Sequence, residues 1–317
     1  MTCHFCQATA RRAGTYGKNR IQRYRCLTCG RTWSDKPESH LDEMRVDFAK
    51  AVHVINLLVE GVGIRAAARI AGINKRTVLR LLVLIGERCE KLMDSRMRNL
   101  ALADIQCDEI WGFVGKKQRH LKATDNADLL GDTYTFVAID RHTKLVITYL
   151  VGKRNAPSTQ HFMADLADRL VVRPQVSTDS FGAYQFATRR AFNGDVDHGV
   201  IQKIYAGNLE GGSGRYSPPA CIGAVRKTIT GQPIEEHICT SHVERSNLNM
   251  RTFMRRLTRL CLGFSKKIEN LRYAVALYFA WSNFVRVHAT INTTPAVASG
   301  ITDHVWTLEE LLIASTR

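Results

Sequence analysis

The 317-residue sequence has no uninterrupted run of the ~18 apolar residues needed to cross a membrane. Its longest apolar stretches, such as 52–59, are broken by polar residues (here His53 and Asn56). The opening Met1-Thr2-Cys3-His4 shows no basic segment followed by an apolar one, so no secretory signal is expected. Acidic residues are absent from 1–34, which carry seven cations: Arg11, Arg12, Lys18, Arg20, Arg23, Arg25 and Arg31. Five of the nine cysteines (Cys89, Cys107, Cys221, Cys239, Cys261) show no pairing by spacing and read as small core residues. An odd cysteine count without a signal segment points to a reducing compartment, hence a cytoplasmic location.

What is present is ordinary globular composition, 45% hydrophobic and 23% charged, which excludes a disordered tail, a collagen or a coiled-coil rod. At roughly 150 residues per domain the length allows about two domains and a small module. The net charge of +16 suggests a polyanionic partner, since each Lys or Arg near a phosphate releases condensed counterions. The basic excess is concentrated in the first third of the chain.

Cys3 and Cys6 form one C-x2-C pair, Cys26 and Cys29 another, with 19 residues between the pairs. A two-residue gap lets both thiolates of a tight turn face one ion, and two such knuckles complete a tetrahedral Zn²⁺ site. Residues 1–34 are therefore expected to be a zinc ribbon with Tyr24 and Trp33 packed on its strands, its folding energy supplied by the metal. Residues 34–40 read as a polar linker. Helical periodicity follows from Met44 to Val59, then over 64–71, with Gly72 as the turn and Asn74 as the cap of a further helix. In that helix Val78, Leu81, Leu82 and Ile85 face inward, and Lys75, Arg76, Thr77 and Arg80 face out. This is the plan of a helix-turn-helix over 41–100 with its linker helix, and those four residues are its expected DNA-reading side chains.

From Asp104 the period changes to that of strands: 104–114, 133–139, 144–151, 175–178 and 196–205, with helices over 158–171 and 180–192. The order predicts an α/β layered domain over 101–280, with an inserted glycine-rich loop at about 206–236. A C-terminal helical segment, 281–317, ends in a packed helix bearing Trp306, Leu308, Leu311 and Leu312. The overall class is α+β multidomain. Asp108 lies on the first strand, Asp179 at the end of a later one, and Glu244 opens a helix that continues through Asn247 and Arg251 on the same face. Three converging carboxylates repel unless hard cations intervene. Two Mg²⁺ ions, replaceable by Mn²⁺, would neutralise them and support attack of a water or 3′-hydroxyl on a phosphodiester. Asn247 and Arg251 would support that site, and Arg251, Arg255 and Arg259 would hold the polyanionic strand. Alternation leaves one of Asp108 and Glu109 on the active face. Asp108 is preferred, with Glu109 its rival and Asp140 a second.

The blocks Asp108-Glu109-Ile110-Trp111-Gly112-Phe113-Val114-Gly115-Lys116-Lys117, Thr178-Asp179-Ser180-Phe181-Gly182-Ala183-Tyr184 and His242-Val243-Glu244-Arg245-Ser246-Asn247 resemble DDE transposases of the insertion-sequence-one type. The late Asn283-Phe284-Val285-Arg286-Val287-His288 and Thr294-Pro295-Ala296 resemble the same group. The resemblance implies an RNase H-like, retroviral-integrase-like catalytic fold and Mg²⁺-dependent DNA cleavage and strand transfer. By position it implies Asp108, Asp179 and Glu244 as metal ligands. The expected partners are double-stranded DNA (terminal inverted repeats and target) and further copies of the chain, as a homodimer or higher oligomer. Two other readings stand beside it: a non-catalytic, sequence-specific DNA-binding regulator, and a nuclease without strand transfer.

Overall fold

The computed structural model describes residues 1–16, 20–34, 41–42, 44–205 and 221–316. The chain divides into two compact units, Met1–Phe48 and Ala49–Arg317.

In the first unit β1 (Ala10–Tyr16), β2 (Ile21–Cys26) and β3 (Thr32–Ser34) form an antiparallel sheet in that order. Tyr24 and Trp33 pair across β2 and β3, and their rings stack at 5.9 Å. The Cys26 amide donates to Arg31 O, closing the turn that carries Cys26 and Cys29. Most of the expected linker, 35–40, lies outside the described residues.

The second unit opens with α1 (Phe48–Val59), α2 (Ile64–Ala71) and α3 (Lys75–Arg96). Gly72 takes the left-handed conformation (φ 63°) that ends α2, as a glycine does at negligible steric cost. Asn74 caps α3 by accepting the Arg76 amide at 2.9 Å. The turn chemistry read from Gly72 and Asn74 is thus realised. Val78, Leu81, Leu82, Ile85, Cys89, Leu92 and Met93 form the buried stripe of α3.

A six-stranded sheet follows. Its strands are β4 (Asp104–Val114), β5 (Gly131–Asp140), β6 (Val146–Gly152), β7 (Gln175–Thr178), β8 (Asp197–Tyr205) and β9 (Cys221–Thr230). Their spatial order is β6-β5-β4-β7-β8-β9. β4, β5 and β6 are an antiparallel meander, β7 and β8 run parallel to β4, and β9 returns antiparallel to β8. Asp140 closes the β5–β6 turn by accepting from the His142 and Thr143 amides and the Thr143 hydroxyl, which explains it as a turn residue. The strand β9 corrects the expectation of a loop throughout 206–236: at 221–230 the chain pairs along β8, while 206–220 lie outside the described residues. β9 is an exposed edge strand whose apolar residues (Cys221, Ile222, Ala224, Val225, Ile229) fall on both faces, so no alternation marks it in sequence.

Helices α4 (Ala156–Ala167) and α5 (Ala183–Ala191) cover one face, where Phe136 of β5 meets Phe162 and Tyr184. The other face carries α6 (Ser241–Phe253) and α7 (Ile268–Phe284). Here Asn247 reaches Asp108, and Phe279 packs on Tyr149 of β6. Every residue from Ala274 to Trp281 is buried, so the middle of α7 is enclosed all round. Two short helices, α8 (Pro295–Ala298) and α9 (Leu308–Ala314), close the chain. Trp306 stacks on Phe284 at 4.5 Å and a Thr307–Glu310 capping box starts α9, in keeping with the packed terminal helix expected there.

Packing contacts run across two of the expected domain limits. α3 packs along α7, with Arg272 Nε donating to Glu90 at 2.7 Å, so the helices before residue 100 belong to the same unit as the sheet. α7 runs through residue 281, where the C-terminal segment was expected to begin. Among the described residues, no helix is long and apolar enough to cross a membrane.

The α3–α7 crossing depends on Gly86, where a Cβ would collide with the backbone carbonyl of Tyr273. Gly86→Ala should therefore destabilise the second unit by ~1–3 kcal/mol, despite the ~1 kcal/mol gain in helix propensity. Urea unfolding followed by circular dichroism measures it; an unchanged or raised midpoint would refute the close approach.

Candidate active site

The parallel register of β4 with β7 sets Asp104 beside Gln175 and Gln106 beside Ser177. Continuing it by two residues brings Asp108 level with Asp179, just past the end of β7. Adjacent strands lie ~4.8 Å apart, so two carboxylates at that level meet at the sheet edge. The structure adds a third: Asp108, Glu109 and Asp179 each offer one oxygen, all within 4.8 Å of one another.

Asp108 and Glu109 reach this point from opposite faces. Asp108 accepts from Asn247 Nδ2 of α6 at 2.8 Å. Glu109 accepts from the Tyr184 hydroxyl of α5 at 2.9 Å and pairs with Arg154 Nε. Arg154 Nη2 lies 3.4 Å from Asp179, and its guanidinium sits over the Phe181 ring at 3.9 Å. Asp179 also accepts the Phe181 amide at 2.9 Å, which fixes the turn into α5. Strand alternation was expected to bring only one of Asp108 and Glu109 to the site. Both oxygens arrive because Asp179 stands at a strand end, reachable from either face.

The electrostatics follow from burial and crowding. Desolvation raises the Asp108 carboxyl from its ordinary 3.8 to about 7, and the Glu109, Asp179 and Glu244 carboxylates add to the shift. Burial also raises Glu109, with Asp179 adding and Arg154 opposing. Tyr184, fully enclosed, is pushed well above the usual phenol range and stays a hydrogen-bond donor.

Glu244 stands apart from this trio. Lys203 of β8 pairs with both of its oxygens, and the Thr240 hydroxyl donates to it at 2.6 Å. Its charge still bears on Asp108. The start of α6 is held by Gln106, whose Oε1 accepts the His242 amide at 2.9 Å and the Val243 amide at 3.3 Å. Gln106 and Asp108, two residues apart on β4, thus face the same helix. Arg251 spends its guanidinium on the carbonyls of Leu257 (3.1 Å) and Trp111 (3.5 Å), so it braces α6 against β4. α6 ends at Phe253, so Arg255 and Arg259 lie on the following segment and not on the helix. Both are exposed.

The donor set suits a hard cation, since oxygens around one octahedral Mg²⁺ stand at most ~4.2 Å apart across the ion. A contraction of a few tenths of an ångström closes the trio on it. In the first unit the Sγ atoms of Cys3, Cys6, Cys26 and Cys29 also lie within 4.8 Å of one another. Cys3–Cys29 is 3.7 Å and Cys6–Cys26 is 3.5 Å. A tetrahedral ion with 2.3 Å bonds to sulfur sets its ligands ~3.8 Å apart, so four thiolates fit Zn²⁺ here. The Cys29 and Thr28 amides, each 3.3 Å from Cys26 Sγ, lower that thiol to about 6 and favour its metal-binding form.

At the start of α3, Lys75, Arg76 and Arg80 are exposed and Thr77 is half-buried. Arg154, Lys203, Tyr184 and Gln106 were not expected at the site. Only Tyr184 had a signal, as the last residue of the block around Asp179.

No family model matches the chain. Over 164 residues it is 24% identical to the insertion element IS1 protein InsB of Shigella flexneri, a match spanning 52% of this chain and 84% of that protein. The sequence likeness is to an insertion-element protein. It agrees in kind with the resemblance carried by the blocks around Asp108, Asp179 and Glu244. Among solved structures, a piggyBac transposase synaptic complex with hairpin DNA aligns with a TM-score of 0.44 at 9% identity, covering 85% of this chain and 69% of that one.

Two outcomes follow. Folding raises the Asp108 pKa, so the group's contribution to stability is complete below about pH 4 and is lost as pH rises through about 7. In EDTA, Asp108→Asn should therefore raise the melting temperature at pH 8 by roughly 4–8 °C, and by much less at pH 5. Equal shifts at both pH values would exclude this origin. Cys26→Ser should release amide protection over residues 1–34 in hydrogen exchange and leave the second unit protected, because the two units are separately compact. Retained protection in 1–34 would show that the thiolates are not what holds that sheet.

Proposed function

We propose that the chain is a DDE-type transposase that binds the ends of an insertion element and carries out Mg²⁺-dependent DNA cleavage and strand transfer. The observation that carries the reading is the meeting of Asp108, Glu109 and Asp179 at one edge of a mixed sheet, in a chain half of which aligns with an insertion-element protein. The sheet order, a three-strand meander followed by two parallel strands, supports an RNase H-like, integrase-like fold with β9 added at its edge.

In this reading Asp108 and Asp179 hold the cation, with Glu109 or Glu244 completing the set. When bound, Mg²⁺ (or Mn²⁺) neutralises charge on the phosphodiester and supports in-line attack by a water or 3′-hydroxyl. Asn247 orients Asp108. Lys203 and Arg154, which balance Glu244, Glu109 and Asp179, supply the positive charge that draws a phosphate to this edge. Arg251 keeps α6 in register with β4 rather than touching DNA. The Cys3, Cys6, Cys26 and Cys29 site holds structural Zn²⁺, since four thiolates leave no open position. Lys75, Arg76, Thr77 and Arg80 at the start of α3 read the terminal inverted repeats, and Arg255 contacts backbone phosphates. Recombination joins two ends, so the working form is a homodimer or higher oligomer on terminal and target DNA, in the cytoplasm at the nucleoid.

The test is nicking of supercoiled DNA with Mg²⁺. Asp108→Asn and Asp179→Asn should each abolish nicking and joining while DNA binding survives, because ligands of one site act as a unit. Survival of nicking in both variants would leave a DNA-binding regulator as the better reading. Comparing Glu109→Gln with Glu244→Gln decides the third ligand: the one whose loss abolishes nicking completes the set. Arg76→Ala should weaken terminal-repeat DNA by ~1–3 kcal/mol more than random DNA. Equal losses would make Arg76 a phosphate contact.

A further inference from the structure

The segment from Met254 to Lys267, between α6 and α7, combines two properties that neither the core nor the carboxylate site requires. Its tip presents Leu260, 85% exposed, and Leu262, 91% exposed. Leu260 is held in the left-handed region (φ 54°), a conformation a leucine keeps only where its surroundings impose it.

Those surroundings are rigid. The Thr258 hydroxyl donates to Arg251 O at 3.0 Å, and the Cys261 thiol donates to Arg255 O at 3.2 Å. The Gly263 amide donates back to Cys261 Sγ at 3.3 Å. Ser265 pairs with the end of β4, accepting the Gly115 amide at 2.8 Å, and Phe264 packs on Phe113 at 4.5 Å. Buried Leu257 packs against Gly112, where a Cβ would approach Leu257 Cδ2 to 2.9 Å. The two leucines are thus carried on a braced loop.

The charge around them identifies the partner. Arg255, Arg259, Lys266 and Lys267 are exposed beside the tip, and the segment 254–267 contains no acidic residue. An apolar tip on a segment whose charges are all cationic matches DNA, whose phosphates meet the cations while the apolar side chains enter a base step. Position agrees. Val114, beside Ser265, lies six residues along β4 from Asp108, ~20 Å at the rise of a strand, or about six base-pair steps. The base of this loop and the carboxylates thus stand within the span of one short duplex.

The geometry points to Leu260 and Leu262 as a wedge that enters a base step of the bound duplex and unstacks it beside the carboxylate site. This rests on the reading of the protein as a DNA-processing enzyme and adds a means of deforming the DNA.

The experiment compares full-length protein on a short duplex and on the same duplex with one central mismatch, whose unstacking is already partly achieved. Wild type should prefer the mismatched duplex by roughly tenfold. The double variant Leu260→Ala/Leu262→Ala should lose that preference and keep its affinity for intact duplex within about twofold, since phosphate contacts remain. Arg255→Ala/Arg259→Ala should weaken both duplexes alike and lower the salt slope by about one per cation removed. 2-Aminopurine placed beside the mismatch should brighten with wild type and not with the leucine variant. An unchanged preference in the leucine variant overturns the wedge. So does sedimentation showing that the variant dissociates an oligomer and loses affinity equally on both duplexes, because the leucines then cover a second copy. Loss of nicking in Asp179→Asn without any mismatch preference sinks the wedge alone, whereas absence of both nicking and duplex binding sinks the DNA-processing reading with it.

Discussion

Like charges held close together set the terms for the rest of the second unit. Asp108, Glu109 and Asp179 bring three carboxylate oxygens within 4.8 Å of one another, and Glu244 adds a fourth charge nearby. In a desolvated edge this arrangement persists only if other groups oppose the repulsion. Arg154 does so for Glu109 and Asp179, Lys203 for Glu244, and the Tyr184 and Asn247 donors for Glu109 and Asp108. These partners come from the β6–α4 turn, β8, α5 and α6, so both helical layers and the far strands converge on one edge. Desolvation first, and the neighbouring carboxylates after it, still raise the Asp108 carboxyl to about 7. A divalent cation is the simplest group that would relieve it.

The scaffold that holds those elements is organised around α7. Enclosed from Ala274 to Trp281, it packs against α3, lies over β6 through Phe279 and Tyr149, and receives the C-terminal helices through Phe284 and Trp306. The proposed DNA-reading end of α3 is therefore joined to the sheet through a packed helix pair rather than a flexible linker. Such a connection lets an event at one be felt at the other, because packed cores transmit displacement. The four-cysteine ribbon is separately compact and has its own reason to fold in the metal its thiolates fit.

Much of the local structure was legible from short-range rules. The paired C-x2-C knuckles, the Gly72 turn with its Asn74 cap, the strand periods from Asp104 to Tyr205 and the amphipathic stripe of α3 each rest on spacing alone, and each appears in the fold. Asp108 and Asp179 were legible as site candidates because one lies on the first strand and the other at the end of a later one; that the two strands are parallel neighbours came from the structure. β9 was not, since an exposed edge strand has little apolar alternation to distinguish it from a loop. The partner of α3 was not legible either: its buried stripe says that a partner exists and not that it is α7.

The sequence by itself determined most of the element types, the paired cysteine spacing and the presence of separated acidic residues among basic ones. Only the tertiary structure decided that Glu109 reaches the same point as Asp108 from the opposite face, and that Glu244 is held by Lys203 rather than gathered with them. It also decided that Arg154 stands against the carboxylates and Arg251 braces β4. These are outcomes of where strand ends, turns and helices from 25 to 140 residues apart in the chain come to lie. No local period encodes that placement, because side-chain direction within one element is a short-range property and convergence between elements is set by how the whole sheet and its helices pack.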